Sequence, residues 1–171
     1  MKLVNALKEA APTMDFIAED LGLLTPTVTK LIKDSSWPGM KVFEFAFDSG
    51  MENAFLPHNY DHNCVAYIGT HDNDTLAGYL AEHTEQHEFM KQYLHIDREE
   101  YIHDTMIGVL MRSVADTVIL SIQDLLKVGT EGRINVPSTL GTNWTKHFVV
   151  KDMSDELACH LKALTDESHR Y

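Results

Sequence analysis

Four carboxylate positions close short apolar runs in this sequence, an arrangement that can build an acid–base site. Each run is rich in β-branched and aromatic residues, and the runs end at Glu19–Asp20, Asp48, Asp72 and Asp124. In a parallel α/β fold the carboxyl ends of the strands open onto one face, where loops form the active site. We therefore predict an acidic pocket, because like charges crowded into a cleft cost free energy and are seldom kept without a use.

Carboxylates that face one substrate can cleave a glycosidic bond. One protonates the leaving oxygen while another attacks or stabilises an oxocarbenium-like carbon. The proton donor has to be kept neutral near pH 7 by burial or by a nearby negative charge. Because side chains alternate along a strand, Glu19 and Asp20 cannot both enter the pocket, and one is expected to brace a neighbouring loop. For Asp48 and Asp124 taken singly, a structural role as a helix N-cap is the preferred alternative.

Alternating strands and helices are predicted to position these residues. The apolar runs 15–20, 41–48, 65–72 and 117–124 have the length and composition of buried strands. Helices are expected after Thr25–Pro26, after Thr75, from Asp97 and over residues 155–169. This alternation predicts an α/β fold with a parallel sheet. No linker rich in Pro, Gly or Ser divides the sequence, so residues 1–171 are treated as a single unit.

Composition excludes several classes of partner. The 171 residues, 44% of them hydrophobic, suit one globular domain. The formal net charge of −12 disfavours nucleic acids and anionic membranes as partners. The apolar runs are too short to cross a bilayer, and the first residues do not resemble a signal peptide. Two cysteines are too few for a disulfide framework, so we expect a cytoplasmic protein.

A metal site or a nucleotide site is a weaker interpretation. His83 and His87 are spaced to share one helix face, but the segment between them lacks the glutamate that a zinc-protease motif requires. A solvated acidic helix is the better interpretation of that segment. No glycine-rich phosphate-binding loop is present, so no metal and no cofactor are expected.

A series of motifs gives the sequence a family resemblance. In order they are Ile17-Ala18-Glu19-Asp20-Leu21-Gly22, Pro38-Gly39-Met40-Lys41-Val42, Leu56-Pro57-His58-Asn59-Tyr60, Gly69-Thr70-His71-Asp72-Asn73-Asp74-Thr75, Gln123-Asp124-Leu125-Leu126, Arg133-Ile134-Asn135 and Gly141-Thr142-Asn143-Trp144. This series resembles the 4-α-glucanotransferases, the amylomaltases of glycoside hydrolase family 77. The resemblance implies a (β/α)₈ TIM-barrel enzyme that moves α-1,4-glucan segments between maltooligosaccharide acceptors with retention of configuration.

The resemblance also implies roles for individual residues. Glu19 stands at the position of the general acid/base, and Asp72 at that of the carboxylate that stabilises the transition state. His71 stands where the family contacts the sugar at the cleavage point. Further contacts to the glucan are implied for Phe45, Asp48, His58, Asn59 and Asn135.

One departure from the family pattern changes the expected mechanism. The family's nucleophile is an aspartate on an earlier strand, and no residue before Glu19 fits that role, since Asp15 belongs to the same predicted strand. The chain thus resembles the second half of the barrel, strands five to eight with their helices. Because a retaining mechanism needs a nucleophile beside the acid/base, we expect this chain to be inactive alone. Ser49 and Lys146–His147 also depart from the family pattern.

Half a barrel leaves open sheet edges and an uncovered inner face, which favour association. The alternatives are therefore self-association, a separate N-terminal half that supplies the nucleophile in a split enzyme, and a non-catalytic glucan-binding remnant.

Overall fold

Three short parallel strands form the sheet, and they lie side by side in chain order. The computed structural model describes residues 1–22 and 24–170. The strands are β1 (Gly39–Val42), β2 (Cys64–Tyr67) and β3 (Thr117–Ile119). Met40 of β1 aligns with Val65 of β2, which in turn aligns with Thr117 of β3. A single parallel bridge between Ala18 and Gly39 continues the sheet beyond β1.

Helices and short 3₁₀ turns connect the strands. The α-helices are α1 (Lys2–Ala10), α2 (Pro26–Ser35), α3 (Leu76–Glu82), α4 (His87–Leu94), α5 (Ile102–Met111), α6 (Ile122–Leu125) and α7 (Asp155–Glu167). The 3₁₀ turns are Phe43–Phe47, Pro57–Asn59, Thr84–Gln86, Glu99–Tyr101, Thr130–Gly132 and Val150–Asp152. The protein is therefore a mixed α/β structure with a small parallel sheet. Among the described residues, no helix combines the length and apolar character that a membrane crossing needs.

Two predicted helix starts are confirmed, the first of them predicted from a cap signal. The side chain of Thr25 accepts a hydrogen bond from Val28 N before Pro26 opens α2, and the side chain of Thr75 caps α3 through Gly78 N. The predicted helix over 155–169 is α7. The prediction of a helix from Asp97 was wrong in its start, because a 3₁₀ turn at Glu99–Tyr101 precedes α5. Helices α1, α4 and α6 were not predicted. The segment 83–87, interpreted as a solvated acidic helix, instead contains a 3₁₀ turn, and His87 at its end is buried at the start of α4.

The four predicted strands are shorter in the structure than in the sequence analysis. Residues 15–20 contribute only the Ala18 bridge. In the run 41–48 the chain leaves β1 after Val42 and forms a 3₁₀ helix, so β1 and β2 are joined by turns and a loop rather than by an α-helix. The run 117–124 divides into β3 and α6. In the run 41–48 the backbone turns into a 3₁₀ helix because apolar side chains at helical spacing, namely Phe43, Ala46 and Phe47, pack into the core.

The hydrophobic core fills the space between one face of the sheet and helices α3, α4 and α5. Its fully buried side chains include Phe43, Leu56, Ile68, Leu76, Met90, Ile102, Met106 and Leu110. Ala66 belongs to this core, and its register partner Val118 packs against it. Burial of this apolar surface is the main stabilising term of the fold.

The opposite face of the sheet is less covered. Because side chains alternate along a strand, Ile119, one residue beyond Val118, points away from the core. It is 43% exposed, and Ile17 beside the Ala18 bridge is 49% exposed. A cavity lined by Ile17, Val65 and Thr117 opens on this face. The sheet therefore has one closed face and one open face.

Candidate active site

A tight turn between β2 and α3 carries two of the predicted site residues. The side-chain oxygen of Asn73 accepts hydrogen bonds from the backbone N and the hydroxyl of Thr70, both at 2.9 Å. Thr75 then caps α3. Turns closed by Asn and Thr side chains in this way satisfy backbone groups that no regular element can serve. His71 and Asp72 are thereby held at the tip of the turn, with half of each side chain exposed.

The Asp72 carboxylate is fixed by polar groups from a distant segment. Asn135 Nδ2 donates to Asp72 Oδ1 at 2.6 Å, and His71 Nε2 lies 3.3 Å from the same oxygen. Arg133 donates to the backbone oxygen of Asp72 at 2.6 Å and to that of Asn135 at 2.9 Å. The indole of Trp144 packs beside the imidazole of His71. Segment 133–144 therefore sets the position and the electrostatic environment of Asp72.

Glu19 and Asp20 point in different directions, as the alternation predicts. Asp20 Oδ1 accepts a hydrogen bond from Met40 N at 2.7 Å and so braces β1. The approach is so close that a Cβ at Gly39 would lie 2.5 Å from Asp20 Oδ2, so a larger residue there would displace the carboxylate that braces β1. Glu19 instead is exposed and lines a cleft of about 430 Å³ together with His71 and Asp72.

Phe45 and Asp48 lie along the same cleft and its continuation. Phe45 lines the cleft beside Glu19 and also the adjoining cavity that holds Asp48 and Asp72. Asn53 Nδ2 donates to Asp48 Oδ1 at 2.9 Å and to the backbone oxygen of Phe45 at 3.0 Å. These contacts hold the turn that follows β1 at the mouth of the cleft.

The structure places His58 and Asn59 elsewhere. His58 contacts the hydroxyl of Tyr93 at 3.1 Å and the backbone oxygen of Met51 at 2.9 Å. Asn59 Nδ2 donates to the backbone oxygens of Met51 and Asn53, at 2.8 and 2.9 Å. Both side chains thus brace the loop 51–60, and Asn59 is linked through Asn53 to Asp48 in the cleft.

Two buried carboxyl groups support the cleft from below. Asp124 Oδ1 accepts from Leu76 N at 2.7 Å, and its other oxygen accepts from the Ser121 hydroxyl at 2.5 Å. Burial is the main cause that raises the pKa of Asp124. Glu44 lines the cavity of Asp48 and Asp72, and burial, assisted by the negative charge of Asp124, raises its pKa well above the ordinary value.

The histidines considered as metal ligands are engaged with the protein itself. His83 Nδ1 contacts the backbone oxygen of Tyr79 at 3.0 Å, and the two rings stack at 4.4 Å. His87 Nε2 contacts the backbone oxygen of Leu80 at 3.0 Å. Within residues 1–22 and 24–170, no group of three or more His, Cys, Asp or Glu side chains is arranged to hold a metal ion.

Sequence reasoning gave no role to Arg133, Trp144 or Glu44. Arg133 and Trp144 stand within quoted motifs, and their proximity to Asn135 was the available signal. Glu44 gave no signal, because it lies inside an apolar run and its burial depends on segments distant in the sequence.

Comparison with known proteins places these residues in a family. A family model described as 4-alpha-glucanotransferase matches residues 1–151. The 4-alpha-glucanotransferases of Clostridium butyricum and Thermus thermophilus are 42% and 38% identical to this chain, over 96% and 99% of its length. The chain spans about a third of the length of these relatives, 34% and 35% respectively.

Two solved amylomaltase structures are also similar to this chain. The amylomaltase from Streptococcus agalactiae in complex with acarbose matches 99% of this chain and 34% of its own, with a TM-score of 0.91 and 33% identity. The amylomaltase from Corynebacterium glutamicum is similar in fold, with a TM-score of 0.61 at 17% identity over 81% of this chain and 25% of its own. On the match over residues 1–151 and these relatives, the chain belongs to the 4-alpha-glucanotransferase family.

Proposed function

We propose that residues 1–171 are one unit, the second half of a (β/α)₈ barrel, strands five to eight, and that the assembled barrel transfers α-1,4-glucan segments between maltooligosaccharides. The observation that supports this most directly is the cleft that Glu19, His71 and Asp72 share beyond the carboxyl ends of the parallel strands. In barrel enzymes the catalytic groups stand at that end of the strands. The related amylomaltase was solved with acarbose.

The proposed roles follow from the chemistry of glycosyl transfer. Glu19 protonates the leaving oxygen and then removes a proton from the acceptor hydroxyl. Asp72, whose Oδ1 is held by Asn135, presents negative charge to the oxocarbenium-like carbon, and electrostatic stabilisation of this kind is a large contribution to catalysis. His71 and Asn135 contact the sugar beside Asp72, while Phe45 and Asp48 contact the next sugar along the cleft.

His58 and Asn59 extend the proposal to the outer end of the cleft. Their side chains hold the loop 51–60, and Asn53 of that loop fixes Asp48. We propose that they contribute to glucan binding through this loop, by keeping Phe45 and Asp48 in place.

The nucleophile is proposed to come from outside this set of residues. Retention requires a carboxylate about 5–5.5 Å from the acid/base, and the groups beside Glu19 in the cleft are His71 and Asp72, both assigned to other tasks. The open face of the sheet, with Ile17 and Ile119 exposed, suits coverage by further barrel strands. We propose that an N-terminal half-barrel covers this face and carries the nucleophile.

Maltotriose disproportionation tests the proposal. The chain is assayed alone, and again after mixing with the approximately two-thirds of the Clostridium butyricum relative that it does not match. Thin-layer chromatography is expected to show no products from the chain alone, and glucose with longer maltodextrins from the mixture. Glu19→Gln should abolish that activity, whereas Glu156→Gln on the exposed face of α7 should leave it unchanged.

Two results would count against this function. Products from the chain alone that disappear with Glu19→Gln would show that no separate half is needed. Binding of maltoheptaose by the mixture without any turnover would instead indicate a non-catalytic glucan-binding protein. Size-exclusion chromatography of the same samples separates self-association from pairing with the second half.

A further inference from the structure

The backbone of Glu44 is fixed between two elements of the cleft. Glu44 is the second residue of the 3₁₀ helix that follows β1 and is only 4% exposed. Its N–H donates to the backbone oxygen of Ile68 at 3.1 Å. Its own carbonyl accepts a hydrogen bond from the hydroxyl of Tyr79 at 2.8 Å. Glu44 is therefore tied both to the segment that continues β2 and to α3, the two elements that flank the turn bearing Asp72.

The Glu44 side chain packs directly beneath that turn. A Cβ built at Gly69 would lie 2.9 Å from Glu44 Oε2 and 3.0 Å from Oε1, closer than real Cβ atoms approach oxygen without a shift. The same Cβ would lie 3.1 Å from Cβ of Asn73. Asn73 in turn closes the turn through its bonds to Thr70. The carboxyl group of Glu44 is thus in contact with the residue at which the turn begins.

The surroundings of this carboxyl favour its neutral form. Among the described residues Oε1 is fully buried and has no hydrogen-bond partner. An ionised carboxylate in such a place loses its hydration without compensation, which is costly. Burial raises the pKa of Glu44, the negative charges of Asp124 from α6 and Asp74 from the turn add to this effect, and the positive charge of Arg133 partly offsets it. Asp48 and Asp72 line the same cavity, with Glu82 and His83 at its α3 end.

We propose that Glu44 is a positioning residue for Asp72: as a neutral carboxylic acid it supports the turn 69–74 from below, and loss of its proton to solvent loosens that turn. The new carboxylate would add negative charge next to Asp74 and Asp124 and would draw water toward Oε1. Either response moves the backbone at Gly69 and with it His71 and Asp72. The functional meaning of that movement rests on the role proposed above for Asp72, whereas the coupling itself needs no glucan to be observed.

Nuclear magnetic resonance of the 171-residue chain tests the coupling. The side-chain carboxyl carbon of Glu44 and the amide signals of Thr70 and Asn73 are followed from pH 4 to pH 9. Glu44 is expected to ionise well above the ordinary range of a glutamate because its side chain is buried, and the two amide signals should move with the same midpoint as its ionisation. In Glu44→Gln these amides should lack the transition at the Glu44 midpoint. The matched control Glu52→Gln, in the exposed loop that follows Asp48, should keep the wild-type titration of the turn.

Hydrogen exchange gives a second measurement with a different readout. The Thr70 amide is bonded to Asn73, so loosening of the turn should expose it to solvent. Two pH units above the measured midpoint of the Glu44 ionisation, its exchange is expected to be at least about tenfold faster in the wild type than in Glu44→Gln, the effect of one pKa unit of coupling. Two pH units below that midpoint the two proteins should exchange at equal rates. A residue that only filled space would give the same ratio at both pH values.

Several results would overturn the proposal. They are ionisation of Glu44 in the ordinary range near about 4.3, turn amides that do not follow its titration, and a Glu44→Gln chain that fails to fold, since the amide is the neutral isostere. Absence of transferase activity in the mixing experiment would refute the proposed function and leave these measurements intact. Transferase activity in the mixing experiment, together with turn amides that do not follow the Glu44 titration, would refute the coupling and leave the proposed function intact.

Discussion

The indole of Trp144 lies against the imidazole of His71, with ring centroids 5.1 Å apart and planes inclined by 41°. Trp144 makes this contact from a left-handed backbone, with φ of +62°. Its backbone N–H donates to the backbone oxygen of Ile134 at 2.7 Å, and this hydrogen bond stabilises the left-handed conformation. A bulky residue in this region is uncommon, and such strain tends to occur at functional sites.

The strain at Trp144 predicts a difference between two substitutions that both remove the indole. In the left-handed region a Cβ costs about 1 kcal/mol relative to glycine. Trp144→Gly should therefore be more stable than Trp144→Ala by about 1 kcal/mol, measured as the free energy of urea unfolding. Equal stabilities would show that the segment relaxes once the indole is gone. In the active mixture both variants should weaken glucan binding equally, because both lose the contact with His71.

Replacing Asp124 with Asn should be tolerated, whereas replacing it with Ala should destabilise the fold. Asp124→Ala leaves Leu76 N and the Ser121 hydroxyl without their acceptor, which should cost about 2–3 kcal/mol of unfolding free energy. Asp124→Asn keeps an oxygen for Leu76 N and removes the buried charge.

The pH dependence of the Asp124 variants has a defined sign. Since burial raises the pKa of Asp124 in the folded state, ionisation destabilises the wild type as pH rises above the ordinary aspartate value of about 3.9. Asp124→Asn should therefore lose less stability than the wild type between pH 4 and pH 7 in urea unfolding. An identical pH profile for the two proteins would contradict this account.

Arg170 ties the segment after α7 to the end of α5. Its guanidinium donates to the backbone oxygens of Met111 at 2.6 Å, Ala115 at 2.8 Å and Ser113 at 2.8 Å. Arg170→Ala should lower stability by about 2 kcal/mol and the melting temperature by about 4–8 °C.

Two further variants make the Arg170 prediction specific. Arg170→Lys should recover only part of the loss, because an ammonium cannot form the fork of a guanidinium. Lys162→Ala on α7 removes an exposed ion pair with Asp166 and should cost less than about 0.5 kcal/mol. Calorimetry that gave Arg170→Ala and Lys162→Ala the same melting temperature would show that the three contacts contribute little.

His103 should make the protein sensitive to mild acid. The ring is buried and Nε2 has no partner among the described residues, and burial is the main cause that lowers its pKa. The unfolded chain binds the proton near pH 6.5 whereas the folded chain resists it, so stability falls as pH drops below about 6.5. His103→Gln should reduce the loss of unfolding free energy between pH 7.5 and pH 5.5. The exposed His160→Gln should keep the wild-type loss, and equal losses in both variants would exclude His103 as the cause.

The elements that sequence analysis predicted correctly are those specified by neighbouring residues. Thr25 and Thr75 cap helices through amides three residues away, so the signal and the structure lie in one short segment. The alternation of Glu19 and Asp20 is similarly local. The two side chains point in different directions because the backbone around Ala18 is extended.

What could not be predicted depends on contacts between distant segments. The run 41–48 has the composition of a strand, yet Phe43 and Phe47 are buried by side chains from α4, such as Phe89 and Tyr93. That packing makes a helical turn more stable than an extended backbone in this run. His58 likewise lies close in sequence to the cleft residues, but its ring is turned toward Tyr93, 35 residues away. Neither partner is specified by the local sequence.

The unequal faces of the sheet have a consequence for the behaviour of this chain in a cell. One side is already packed by α3, α4 and α5, whereas Ile17 and Ile119 remain in contact with water on the other. In the half-barrel proposed above, this arrangement would correspond to an assembly intermediate whose outer layer is packed and whose inner apolar wall is still open. Such surfaces are what chaperones bind and what aggregates grow from. The chain on its own should therefore be a chaperone client whose release depends on closure of that wall.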